Sequence, residues 1–192
     1  MVLTSFETIH FPLMLERAKD ILLAPLANTD MLWMVIPLLI TLFAMETYFG
    51  RYVDDELGWN TALGNALVLL FVSMDLFRTL IAKLPTPHTA AQVVRSLPQP
   101  EFALALLVGL GGIYLIFTDF FRILPKQIAF NISSAFPINF IAYASLVVIY
   151  TDISLDWHTL LGALLLFGML AMFFWYFRLI IPYANTARKQ EG

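Results

Sequence analysis

Three carboxylates stand inside otherwise apolar stretches of this 192-residue chain: Glu46, Asp75 and Asp119. A charged group at the centre of a bilayer costs at least about 2.5 kcal/mol, so such residues pair with a basic side chain or line a wet cavity. Spacing supplies the pairs. Asp75 and Arg78 are three residues apart, as are Asp119 and Arg122, which places each pair on one face of a helix. Glu46 lies five residues from Arg51 and fits less well. Carboxylates held in this way can bind a proton or a small cation. Asp75 is deeper in its apolar run than Asp119, so it is the stronger candidate for that chemistry, and Asp119 suits a structural clamp. Neutral polar groups add to the set. Asn65 near the start of one run is expected to hydrogen-bond across to another helix, with Gly64 beside it allowing close approach. Asn131 and Asn139 bracket a polar stretch that also holds Ser133, Ser134 and Pro137.

Other chemistry finds little support. The three histidines, His10, His88 and His158, form no metal-ligand or zincin pair, and no phosphate loop, nucleophile elbow or Cys–His arrangement is present. There are no cysteines, which excludes disulfides and thiolate sites. The acidic groups Asp54-Asp55-Glu56 and Asp152 with Asp156 lack a cation-binding spacing and read as solvated loops. His158, near Asp156, reads as part of a helix N-terminus. The net charge of −3, with no basic stretch, gives no basis for a nucleic-acid partner. The sequence therefore predicts a non-enzymatic protein with no metal and no cofactor.

The elements that must position these residues are apolar helices. Sixty per cent of the chain is apolar and 13% charged, against roughly 45–50% and about 25% in soluble domains. A bilayer-crossing helix needs about 20 apolar residues, and five segments qualify: Met31–Gly50, Asn60–Lys83, Glu101–Leu124, Gln127–Tyr150 and Trp157–Ile181. Asn28, Thr29 and Asp30 offer N-caps to the first segment, and Ser154 and Asp156 to the fifth. Pro85, Pro125 and Pro182 follow the ends of the second, third and fifth, where a helix does not easily continue. Aromatic or leucine-rich Phe-Arg endings, at Leu76-Phe77-Arg78, Phe120-Phe121-Arg122 and Tyr176-Phe177-Arg178, mark polar boundaries where rings and guanidinium groups meet headgroups. The polar first half of Gln127–Tyr150 is compatible with a broken or re-entrant element, which protein or water must cover, while the nearly continuous apolar run Ala135–Tyr150 favours a segment that crosses.

Residues 1–30 differ in character. Met14, Ala18 and Ile21 fall on one helical face, with Glu16, Arg17, Lys19 and Asp20 on the other side, so a short amphipathic helix is expected, lying along the membrane surface or against a partner subunit. No basic-then-apolar leader is evident, and the segment is expected to stay on the mature protein. Orientation is not decided, since five basic residues against six flank the two sides and basic excess is what sets it. Leu67–Leu80 aligned over Gly111–Leu124 matches the Asp, a Phe, the Arg and a Leu at an offset of 44. An inverted repeat would look like this, and so would two ordinary interfacial helix ends. Gly109, Gly111 and Gly112 suit a close helix crossing.

The sequence thus predicts an all-α integral membrane protein, in the cell membrane if prokaryotic. Residues 1–30 form an amphipathic segment, 31–182 one transmembrane domain, and 183–192 a polar tail. Two functions compete: a channel or transporter-like protein for a cation or proton acting as a homo-oligomer in the lipid bilayer, and a non-catalytic subunit packed among other membrane subunits.

Overall fold

The computed structural model describes residues 2–52, 57–84, 99–151 and 153–182, with side chains from residue 11 onward apart from Gln99. The Asp54-Asp55-Glu56 loop, linker residues 85–98 with His88 and Arg95, Asp152 and the 183–192 tail lie outside the described residues, as does the side chain of His10. All regular elements among the described residues are helical. Helix α1 is Val2–Ala27, and a 3-10 turn, Thr29–Met31, leads into α2, Leu32–Arg51. Then come α3, Trp59–Ala82, α4, Gln99–Phe120, the short α5, Lys126–Ile132, α6, Ala135–Thr151, and α7, Trp157–Ile180.

Five stretches are long and apolar enough to cross a bilayer: Thr29–Arg51, Trp59–Ala82, Pro100–Phe120, Lys126–Thr151 and Trp157–Ile180. They coincide with the five expected segments, with two differences. The third ends at Phe120 rather than Leu124, and the fourth is two helices, α5 and α6, with the break at Ser133-Ser134. Consecutive stretches run antiparallel, which gives the bundle two ends. The starts of α2 and α7 meet the ends of α3 and α6 at the first end, where Asn28 and Lys83 reach the last carbonyls of α6. The ends of α2, α4 and α7 share the second end with the starts of α3 and α5, joined by Glu46–Arg178 and Asp119–Ser133 contacts.

α6 is the core of the bundle. Ile138, Ala142, Leu146, Val147 and Ile149 are among its buried residues, and α1, α2, α3, α4 and α7 all pack on it. α3 and α4 share the most extensive packing of any helix pair among the described residues, and two glycines permit it. A Cβ on Gly109 would stand 2.5 Å from Ser73 Oγ, and one on Gly112 would stand 3.0 Å from Leu69 Cβ. Ser73 Oγ donates to the Ala105 carbonyl at 2.9 Å across this crossing. Gly64 and Gly111 have nothing within 4 Å of a built Cβ, so the close approach expected at Gly64 does not occur.

α1 is longer than the sequence suggested. Ala18, Ile21 and Ala24 are buried, and Glu16, Lys19 and Asp20 are exposed. These buried residues belong to a helix that packs on the chain's own α6 and α7, while Leu13, Leu15, Leu22, Leu23 and Leu26 are exposed; a Cβ on Gly162 would meet Arg17 Cβ at 2.7 Å and Ala18 N at 3.0 Å. Pro25 lies inside α1. Without an N–H it cannot bond the carbonyl of Ile21, four residues back. The Tyr143 hydroxyl donates to that carbonyl at 2.7 Å, with the Leu22 carbonyl at 3.2 Å.

Asp156 caps α7 as expected, accepting from Thr159 N at 2.8 Å, and His158 falls in the first turn of that helix. The Thr159 backbone N–H is the main cause that holds the Asp156 carboxyl below its ordinary value; desolvation opposes it, and the Thr159 and Ser154 hydroxyls and Arg17 add to it. Because the folded-state value is the lower one, the stabilisation is present above the ordinary carboxylate range and lost as pH falls through the folded value.

The packing and the cap are each open to test. Gly109→Ala must displace Ser73 Oγ and is expected to lower stability by about 1–2 kcal/mol, whereas Gly64→Ala leaves it unchanged or raises it by up to about 1 kcal/mol. Denaturation of the purified protein in detergent checks both. In the same assay, acid scans below about pH 4 are expected to flatten in Asp156→Asn; an unchanged acid profile contradicts the cap's contribution.

Candidate functional site

The site begins with the break between α5 and α6. In an unbroken helix the Ser133 carbonyl would accept from residue 137, and residue 137 is proline, which has no N–H and is tolerated only in the first turn of a helix. The helix stops and restarts, leaving that carbonyl to be satisfied from outside. Asn65 Nδ2 on α3 donates to it at 2.8 Å, the interhelical bond expected of this residue. The Ser133 hydroxyl turns the other way and donates to Asp119 Oδ2 on α4 at 2.7 Å. Ser133 is 0%, Asp119 1% and Asn65 6% exposed. Asp119 Oδ1 is buried and accepts no hydrogen bond among the described residues.

The expected Asp119–Arg122 pair does not form. α4 ends at Phe120, and Arg122 takes a left-handed backbone with φ 53°. Arg122 N bonds the Asp119 carbonyl at 3.3 Å and Ile123 N bonds the Thr118 carbonyl at 2.9 Å, a Schellman closure with arginine where glycine is usual. The turn swings the guanidinium away to lie 5.6 Å from the centroid of the Trp59 ring. Three-residue spacing brings side chains together only while both residues remain helical, and here the helix ends between them.

The Asp75–Arg78 pair does form. Arg78 Nε and Nη2 donate to Asp75 Oδ1 at 3.0 and 2.6 Å, and the Tyr150 hydroxyl donates to Oδ2 at 2.7 Å. Both carboxylate oxygens are engaged. Alongside, Lys83 Nζ donates to the Ile149 carbonyl at 2.6 Å and Asn28 Nδ2 to the Tyr150 carbonyl at 2.7 Å. These carbonyls belong to the last turn of α6, where donors and positive charge are favourable. Asp75 therefore clamps the end of α6. The pairing is the reverse of the depth order: among the described residues the Asp75 carboxylate accepts from three donor atoms and that of Asp119 from one.

Glu46 is paired with a residue that local spacing does not reveal. Arg178 Nε, 132 positions away on α7, donates to Glu46 Oε2 at 2.7 Å, and Glu46 is 3% exposed. Arg51 turns instead toward Tyr52. One signal was available: of the three Phe-Arg endings, only Arg178 has no aspartate three residues before it, so the leftover arginine matches the leftover glutamate.

The remaining candidates are not gathered into one place. Asn131 is exposed and lines a cleft of about 540 Å³ at the second end with Lys126 and Arg178. Asn139 is 3% exposed; its Nδ2 donates to the Ala135 carbonyl at 2.7 Å and its Oδ1 is buried and accepts no hydrogen bond among the described residues. Asn65 and Asp75 are ten residues apart on α3, about 15 Å by helical rise, and Ala66, Leu69, Val72 and Ser73 between them are buried. Among the described residues no three His, Asp or Glu side chains cluster as metal ligands. Chemically, the Asn65–Ser133–Asp119 group offers a desolvated carboxylate oxygen beside a hydroxyl, able to take up a proton or a small cation.

Comparison with protein-family models, curated proteins and solved structures gives no significant match.

The two aspartates are expected to behave differently on neutralisation. Asp75→Asn should lower stability by about 1–2 kcal/mol, since charge-assisted bonds from Arg78 are lost and much of Arg78 is solvated. Asp119→Asn, which keeps the acceptor for Ser133 and removes a buried charge, should leave stability equal or higher. Equal losses in detergent unfolding would contradict the assignment.

Proposed function

We propose that this chain is a multi-pass integral membrane protein that acts, as an oligomer, in transport of a proton or small cation, with Asp119 as the binding residue and Ser133 and Asn65 completing the site. The unpartnered Oδ1 of Asp119, buried beside a broken helix, carries the reading. An isolated ionised carboxylate is costly to bury, and binding a proton or cation removes that cost. Interrupted helices are a recurrent way of placing such a site inside a membrane. Five spans enclose little volume, so neighbouring copies would complete the path. In this arrangement α1 lies with Glu16, Lys19 and Asp20 among headgroups and its apolar face on α6 and α7.

A second reading, a non-catalytic subunit of a larger membrane assembly, is favoured by one observation. The Asp119 and Asp75 groups are separated along α3 by buried Ala66, Leu69 and Val72, and the buried Ser73 hydroxyl between them is committed to the Ala105 carbonyl.

Reconstituted proteoliposomes carrying an internal pH or cation indicator distinguish the two. The transport reading predicts a flux that is abolished by Asp119→Asn and retained by folded Asp75→Asn. No flux from the wild type, or a flux indifferent to Asp119→Asn, would favour the subunit reading.

A further inference from the structure

Arg122 is the one non-glycine residue with a left-handed backbone among the described residues, at φ 53°, a conformation that a Cβ disfavours and glycine accepts. Its guanidinium meets the Trp59 ring, 5.6 Å from the centroid, and no carboxylate of the described residues. Three positions back, Asp119 Oδ1 is buried and accepts no hydrogen bond among the described residues. A strained cation and a carboxylate with spare capacity therefore stand side by side in the chain without meeting.

The chain holds an internal comparison. Asp75-Leu76-Phe77-Arg78 has the same spacing, and there α3 runs on to Ala82. Exposed Arg78 reaches buried Asp75 through Nε and Nη2 at 3.0 and 2.6 Å. Only the last turn separates the second motif from that geometry. Phe121, Arg122 and Ile123 are exposed, and the next residue that bars a helix is Pro125, so α4 has room to extend through Arg122. Arg122 N would then pass from the Asp119 carbonyl to that of Thr118, which Ile123 N now holds. Helical geometry brings the Cβ atoms of residues three apart to about 5–6 Å, whichever way the carboxylate points beforehand.

We propose that Arg122 is the internal counter-ion of Asp119: when the carboxylate gives up its proton or cation, α4 extends through Arg122, which leaves Trp59 and pairs with Asp119, and rebinding returns it to the ring. The proposal rests on the reading of Asp119 as the binding residue. Losing the cation–π contact opposes the movement, while relief of the left-handed backbone and of an isolated buried charge favours it. The other charged groups around α4 are engaged elsewhere. On α3, Asp75 and Arg78 pair with each other at the far end; α6 carries no acidic or basic residue; on α5 the Lys126 ammonium lies 5.6 Å from the centroid of the Phe130 ring. At the same end of the bundle Arg178 is held by Glu46 and Arg51 lies over Tyr52; Asp54, Asp55 and Glu56 lie outside the described residues.

The test is fluorine NMR of the full-length protein in detergent, labelled with fluorotryptophan, the Trp59 resonance being assigned by Trp59→Phe. A guanidinium over the ring shifts that resonance, so it reports whether Arg122 is there. The protein is titrated with protons in choline chloride, and with Na⁺ and K⁺ at alkaline pH. In the wild type the resonance is expected to move between two positions with at least one of these ligands. Asp119→Asn should hold it at the ligand-saturated position throughout. Arg122→Gly, which suits a left-handed site and so should fold, should hold it away from that position throughout, and Arg122→Lys, which keeps the charge, should restore movement. No movement in the wild type with any of the three ligands, or movement that survives Asp119→Asn or Arg122→Gly, would overturn the proposal; either variant decides alone if the other does not fold. Movement without flux in proteoliposomes would sink the transport reading and leave the counter-ion standing, whereas flux without movement would do the reverse.

Discussion

The arrangement of this bundle depends on how α6, buried at its centre, closes the backbone at its two ends. A helix in that position cannot hand its unpaired groups to water. At its start the Ser133 carbonyl, which Pro137 cannot serve, is taken by Asn65 of α3, and the Ser133 hydroxyl is tied to Asp119 of α4. At its other end Lys83 and Asn28 cap the Ile149 and Tyr150 carbonyls, and Asp75 receives the Tyr150 hydroxyl. α1, α3 and α4 are therefore located by what α6 lacks. Pro25 and Tyr143 repeat the device, with a proline freeing a carbonyl in α1 and a side chain of α6 supplying the donor.

This constraint sorts the carboxylates. Glu46 is held by Arg178, and Asp75 by Arg78 and Tyr150, so both serve as ties between or along helices. Among the described residues Asp119 is bound on one oxygen only. It sits where the fourth span is interrupted, so the residue with spare capacity coincides with the irregular backbone. The proposed transport chemistry rests on that coincidence.

Much of the fold was legible in the sequence because lipid-compatible helices announce themselves locally. Run length and the Asp156 cap located the long apolar helices, and the polar stretch around Ser133 and Pro137 marked the break. Asp75–Arg78 was legible too, since both residues stay within α3. Asp119–Arg122 has the same spacing and failed, because the helix ends at Phe120, before Arg122, which takes a left-handed turn toward the Trp59 ring. Glu46–Arg178 was hidden by distance along the chain, as was the partner of Ser133. The two Asp-Phe-Arg copies, alike in letters, thus adopt different local structures, and the resemblance between them is not carried into the side-chain contacts.

The most direct test is a double-mutant cycle between Asn65 and Pro137, read as unfolding free energy in detergent or bicelles. If Asn65 is required because Pro137 removes a backbone donor, Asn65→Leu should cost about 0.6–1.7 kcal/mol in the wild type and distinctly less in a Pro137→Ala background, where residue 137 can again bond the Ser133 carbonyl. An equal cost in both backgrounds would contradict the account.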